Sequence, residues 1–129
     1  MLTVNCFKED LPNKVDSLKE YNKLVGFLKS WVEKAESPEK VEEFVESLTK
    51  IERNEIWMRL ITVLTSFFKF ATKRAEFIKQ VYADNKEKLS QETKNALLQF
   101  GNFEFDRATA MSQALEAMVV MFDTEKKGL

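Results

Sequence analysis

A chain of 129 residues with three Gly, two Pro and 32% charged residues has room for one hydrophobic core and few tight turns, which excludes a second domain and a turn-rich β fold. Its 20 basic and 21 acidic residues leave a net charge of −1, so bulk charge draws it neither to nucleic acid nor to a membrane surface. No histidine is present, which removes the usual hydrolase triads, imidazole acid–base chemistry and histidine-containing zinc or di-iron sites.

Residues 1–7 alternate loosely between apolar and polar before the charged Lys8-Glu9-Asp10, and residues 1–11 are read as an N-terminal arm laid on a bundle. Cys6 has no second cysteine to pair with and no imidazole to activate it, so it is expected to serve as a small apolar contact. The lone thiol, and a start without a basic stretch followed by an apolar signal core, give the expectation of a cytoplasmic protein. Pro12 suits the first turn of a helix, because its missing N–H is not needed there. That helix is predicted over residues 12–35, with Ser17, Tyr21, Leu24, Val25, Leu28, Trp31, Val32 and Ala35 on one face and Phe27 at its edge.

Ser37-Pro38 signals a restart, Ser as the cap and Pro at the first helical position. Val41, Phe44, Val45, Leu48 and Ile51 form the apolar stripe of this short helix, and Glu39, Glu42, Glu43 and Glu46 make its outside acidic. Glu42-Glu43-Phe44-Val45-Glu46 resembles the EExxE half of the magnesium-binding signature of all-α nucleotide pyrophosphohydrolases of the MazG type. The ExxD that this family carries on its next helix is absent, and an acidic solvent face accounts for the glutamates. No metal, cofactor or catalytic residue is therefore assigned, and a metal-dependent nucleotide hydrolase is the least favoured function.

The longest apolar pattern spans residues 55–82, and its helix is expected to begin between Thr49 and Asn54, where Thr49 and Glu52 form a capping box. Trp57, Leu60, Ile61, Leu64, Phe67, Phe68, Ala71, Ala75, Ile78 and Tyr82 share one broad face. A second stripe, Ile56, Val63, Phe70 and Phe77, recurs every seven residues beside it, and is covered either by other helices of the chain or by a second copy. Arg59, Lys69 and Lys73 interrupt the apolar run, so no membrane span is predicted. Residues 53–89 carry a net charge of +4 between acidic flanks, and Lys69, Lys73 and Lys79 form a candidate basic contact ridge.

Ser90 is the next cap, followed by a helix over residues 91–100 and a stop signal at Gly101-Asn102, where a break is favoured. A continuous helix is the alternative, because Leu97, Phe100, Ala108, Met111, Leu115, Met118 and Phe122 keep one phase across the glycine. Residues 124–129 form a polar tail. Arg74 falls inside the apolar arc of the central helix, and Glu104 and Arg107 fall on the apolar face of the last one. Because buried charge persists only when paired, these three are the candidate ion-pair or anion site, with Glu104 the partner of Arg74.

The sequence thus predicts a single all-α domain, an antiparallel bundle of four to five helices around a long, doubly buried central helix. The expected function is a non-enzymatic protein–protein interaction module, an adaptor or regulatory subunit that self-associates as a homodimer. The alternative is a small helical subunit of a nucleic-acid-associated complex, acting through the Lys69, Lys73 and Lys79 ridge.

Overall fold

Each of the four α-helices begins at a hydroxyl side chain that accepts the backbone N–H three residues on, in a computed structural model that describes residues 2–123. Ser17 caps α1 (Leu18–Ala35), Ser37 caps α2 (Pro38–Ser47), Thr49 caps α3 (Lys50–Asn85) and Ser90 caps α4 (Gln91–Met121). These oxygens accept from Glu20, Lys40, Glu52 and Thr93 at 3.1–3.3 Å, satisfying N–H groups that the helix leaves without partners. At Thr49 the exchange is reciprocal, since Glu52 Oε1 accepts from the Thr49 N–H at 2.9 Å. The fold is an all-α bundle with a long central helix, as composition and periodicity predicted. The tail expected at 124–129 lies outside the described residues.

Two boundaries differ from the prediction. Helix α1 starts at Leu18 and not at Pro12, because Ser17 and Glu20 supply the cap while residues 11–16 form a bent, non-helical stretch along the core. Leu11, Pro12 and Val15 are buried there, and Val15 N–H donates to Ser66 Oγ at 2.8 Å. Helix α4 passes through Gly101 unbroken, since packing against α3 outweighs the roughly 1 kcal/mol helix penalty of one glycine. Between α1 and α2 the chain turns on Glu36, at φ 59° and ψ −55°, with Ser37 N–H donating to Ala35 C=O at 2.6 Å in a γ-turn.

The N-terminal segment lies on the bundle and inserts Cys6 and Phe7 into its core. A wide π-type turn, Cys6–Asp10, places Phe7 at 0% exposure, with its ring 5.3–6.2 Å from the rings of Phe27, Trp31, Phe44 and Phe122. This insertion rotates the buried stripe of α1 toward Phe27, which is buried, and leaves Val32 at 73% exposure on the far flank. Ile51, expected in the stripe of α2, sits in the first turn of α3 and is exposed. Arg59 locks the segment down by donating to Phe7 C=O at 3.2 Å.

Burial along α3 changes halfway. Ile56, Leu60, Val63 and Phe67 are buried against α1, α2 and the lower half of α4, where Met111, Leu115, Met118 and Phe122 complete the core. At 1.5 Å per residue α3 and α4 are about 54 and 46 Å long, against about 27 Å for α1 and 15 Å for α2. The shorter helices therefore cover only part of the longer pair. Residues 68–85 and 91–108 project as an antiparallel hairpin arm, closed by residues 86–90. The seven-residue stripe is divided by this change: Ile56 and Val63 lie in the core of the same chain, Phe70 leans on Tyr21 at 5.5 Å, and Phe77 is 68% exposed. It does not form a single second interface.

Candidate functional site

At the base of the arm, one ring meets two cations. Tyr21, in the first turn of α1, stacks on Phe67 at 5.9 Å and lies under both guanidinium groups, Arg74 at 5.3 Å and Arg107 at 5.5 Å from its centroid. Glu104 joins the two arginines: Arg74 Nη1 lies 3.6 Å from its Oε2 and Arg107 Nη1 3.9 Å from its Oε1. The carboxylate is the most enclosed of the three, its side chain 12% exposed against 27% and 32% for the arginines. Spacing explains the meeting, since Glu104 and Arg107 share a face of α4 and Arg74 lies on the inward face of α3. Burial pushes the Tyr21 hydroxyl above its ordinary value of 10.0, reinforced by Glu104 and opposed by the two arginines.

From this triad an apolar cleft of about 690 Å³ runs along one flank of the arm. Phe67, Phe68, Ala71, Ala75, Ile78 and Tyr82 of α3 face Leu97, Leu98, Phe105 and Ala108 of α4 across it, with Glu76 and Lys79 on its wall. The arrangement can seat apolar side chains and hold a polar group at its charged end.

The lysines expected to form one ridge are not brought together. Lys69 and Lys73 are exposed on the outer side of α3, whereas Lys79 stands on the cleft wall, about 120° around the helix from Lys73. Glu42, Glu43 and Glu46 are exposed on α2, and among the described residues no group of three or more acidic or cysteine side chains is placed to hold a metal ion. No described helix is long and apolar enough to cross a membrane.

Two features escaped the sequence. The Cys6 thiol is buried beside Thr3 Oγ1 at 3.4 Å and accepts from Lys34 Nζ at 3.5 Å, while Lys34 also meets Asp10 at 3.7 Å. Burial raises the thiol's pKa, but the hydrogen bonds from Thr3 and Lys34 and the Lys34 charge outweigh it and leave the group below its ordinary value of 9.0. Lys34 is 28 residues away, and no local pattern announces it. The second feature is aromatic. Phe68, Phe77, Phe100, Phe103 and Phe105 are all at least 44% exposed, all on the arm, and no other phenylalanine of the chain is exposed. A signal for this existed in Phe103 and Phe105, which stand about 100° to either side of Glu104 on the helix and so must flank its face.

Compared with protein-family models, with curated proteins and with solved structures, the chain finds no match.

Proposed function

We propose that this protein is a non-enzymatic protein–protein interaction module, self-associating and partner-binding through its hairpin arm. The confinement of every exposed phenylalanine to the arm carries this reading. Each such ring leaves roughly 100 Å² of apolar surface in water, and covering it returns about 2.5 kcal/mol at roughly 25 cal/mol per Å². Exposed aromatic surface concentrated in one part of a chain in this way favours an interaction site. The triad at the arm's base supplies the polar anchor that fixes orientation, and the absence of imidazole leaves little acid–base chemistry to compete with a binding role.

Affinity purification of the tagged chain from its native cells, split into nuclease-treated and untreated halves, tests the proposal. A stoichiometric protein is expected to survive nuclease and to be lost from a Phe68→Glu, Phe105→Glu variant that keeps its helicity. Partners that vanish with nuclease would favour the nucleic-acid reading through exposed Lys69 and Lys73. Recovery of the bare monomer from both halves would overturn the proposal.

A further inference from the structure

We infer that the cleft on one flank of the arm is the seat of the same flank of a second copy, so that two arms pair side by side as a four-helix bundle. The inference rests on the interaction-module reading and deepens it, by naming the partner as the chain itself and choosing the flank.

The arm has two apolar flanks, and helix geometry separates them. At about 100° per residue, Phe68 on α3 and Leu98 and Phe105 on α4 all stand about 80–100° to one side of the line on which the helices touch. Phe77, Phe100 and Phe103 stand about 60–120° to the other side by the same arithmetic. Because the helices run antiparallel, the same sense of rotation leads to the same side of the arm. The cleft confirms the division, since its lining includes Phe68, Leu98 and Phe105 and none of the other three.

Three observations select a second copy for the cleft flank. The first is charge. The cleft is walled by two acidic side chains, Glu76 and Glu104, and two basic ones, Arg74 and Lys79, so it attracts neither a strongly acidic nor a strongly basic partner. A two-fold contact sets a surface against itself, and a wall balanced in this way can place Glu76 of one arm against Lys79 of the other. The chain's net charge of −1 adds little repulsion. The second is area. A face of two helices about 27 Å long and about 20 Å wide offers on the order of 500 Å² in projection and more as accessible surface, which suits the roughly 800 Å² per partner of a stable interface. The third is continuity. Phe67, buried and stacked on Tyr21 at 5.9 Å, and Phe68, its ring 6.2 Å from that of Phe67, both line the cleft, so a second arm extends the existing core where the shorter helices stop covering it.

Sedimentation equilibrium of the full chain and three variants, with helicity checked by circular dichroism, decides it. The wild type is expected to be a dimer at about 10 µM, and Phe105→Glu and Leu98→Glu to weaken association at least tenfold, about 1.4 kcal/mol. Phe103→Glu, on the other flank, is expected to change it less than about twofold. If either cleft variant loses helicity, the other carries the test, since both side chains are more than half exposed. A monomeric wild type overturns the pairing, whether native mass spectrometry shows it bare or carrying a small amphiphile. So does a dimer broken by Phe103→Glu and not by the cleft variants. A monomer that still captures a protein through the arm overturns the pairing and keeps the module, whereas one that captures nothing overturns both.

Discussion

Arg74 and Glu104 face each other at 3.6 Å where the arm leaves the body, and through Glu104 the pair extends to Arg107 and the ring of Tyr21. One carboxylate serves two guanidinium groups, so its removal is felt twice. Glu104→Gln is expected to destabilise the chain by about 1–2 kcal/mol, below the 3–5 kcal/mol of a fully buried pair because both arginines are partly solvated. Arg74→Ala is expected to cost less, since Arg107 keeps its partner. Urea unfolding of both variants checks the order, and equal costs would refute the shared role of Glu104.

Two groups give the stability a two-sided dependence on pH. The folded Cys6 thiol lies below its ordinary 9.0, so its contribution is absent at neutral pH, appears as pH rises through the folded pKa and is complete above about 9. Folded Tyr21 lies above 10.0, so its contribution is full below that value and is lost as pH climbs through the folded pKa. Urea midpoints are expected to rise toward about pH 9 and to fall above about pH 10. Cys6→Ser should flatten the rise, and Tyr21→Phe should lessen the fall.

Phe7 touches four aromatic rings from a segment with no long helix of its own. Phe7→Ala is expected to cost about 3–5 kcal/mol, a large share of the stability of a chain this size. Phe77→Ala, on the exposed arm, is expected to change monomer stability by less than about 0.5 kcal/mol. Chemical denaturation of both variants at low protein concentration makes the comparison. Similar costs would mean that the N-terminal segment is surface and not core.

Backbone conformation predicts two gains. Glu36 occupies a γ-turn at φ 59°, which a glycine adopts without its side-chain penalty, and its ion pair with Lys40 at 3.5 Å is solvent-exposed. Glu36→Gly is expected to raise stability by about 1 kcal/mol. Within α4, a Cβ added at Gly101 would meet Ile78 Cγ2 at 3.7 Å, an ordinary contact. Gly101→Ala is expected to raise stability by about 0.5–1 kcal/mol, and a loss on thermal melting would show that the arm needs closer helix approach than the contact implies.

Local chemistry alone determined the helical class, the order of the helices and three of their starts: Ser37, Thr49 and Ser90 act on N–H groups three residues away, and a pattern of that reach is written in consecutive residues. The meeting of Arg74 with Glu104 was also legible, because charges inside apolar arcs need partners and few stood at the right phase. Only the tertiary structure decided where burial along α3 stops, that Phe7 enters the core, that α4 ignores Gly101 and that Lys34 reaches Cys6. Each of these depends on which surfaces the shorter helices are long enough to cover, and on contacts between residues tens of positions apart, which periodicity along one helix does not encode.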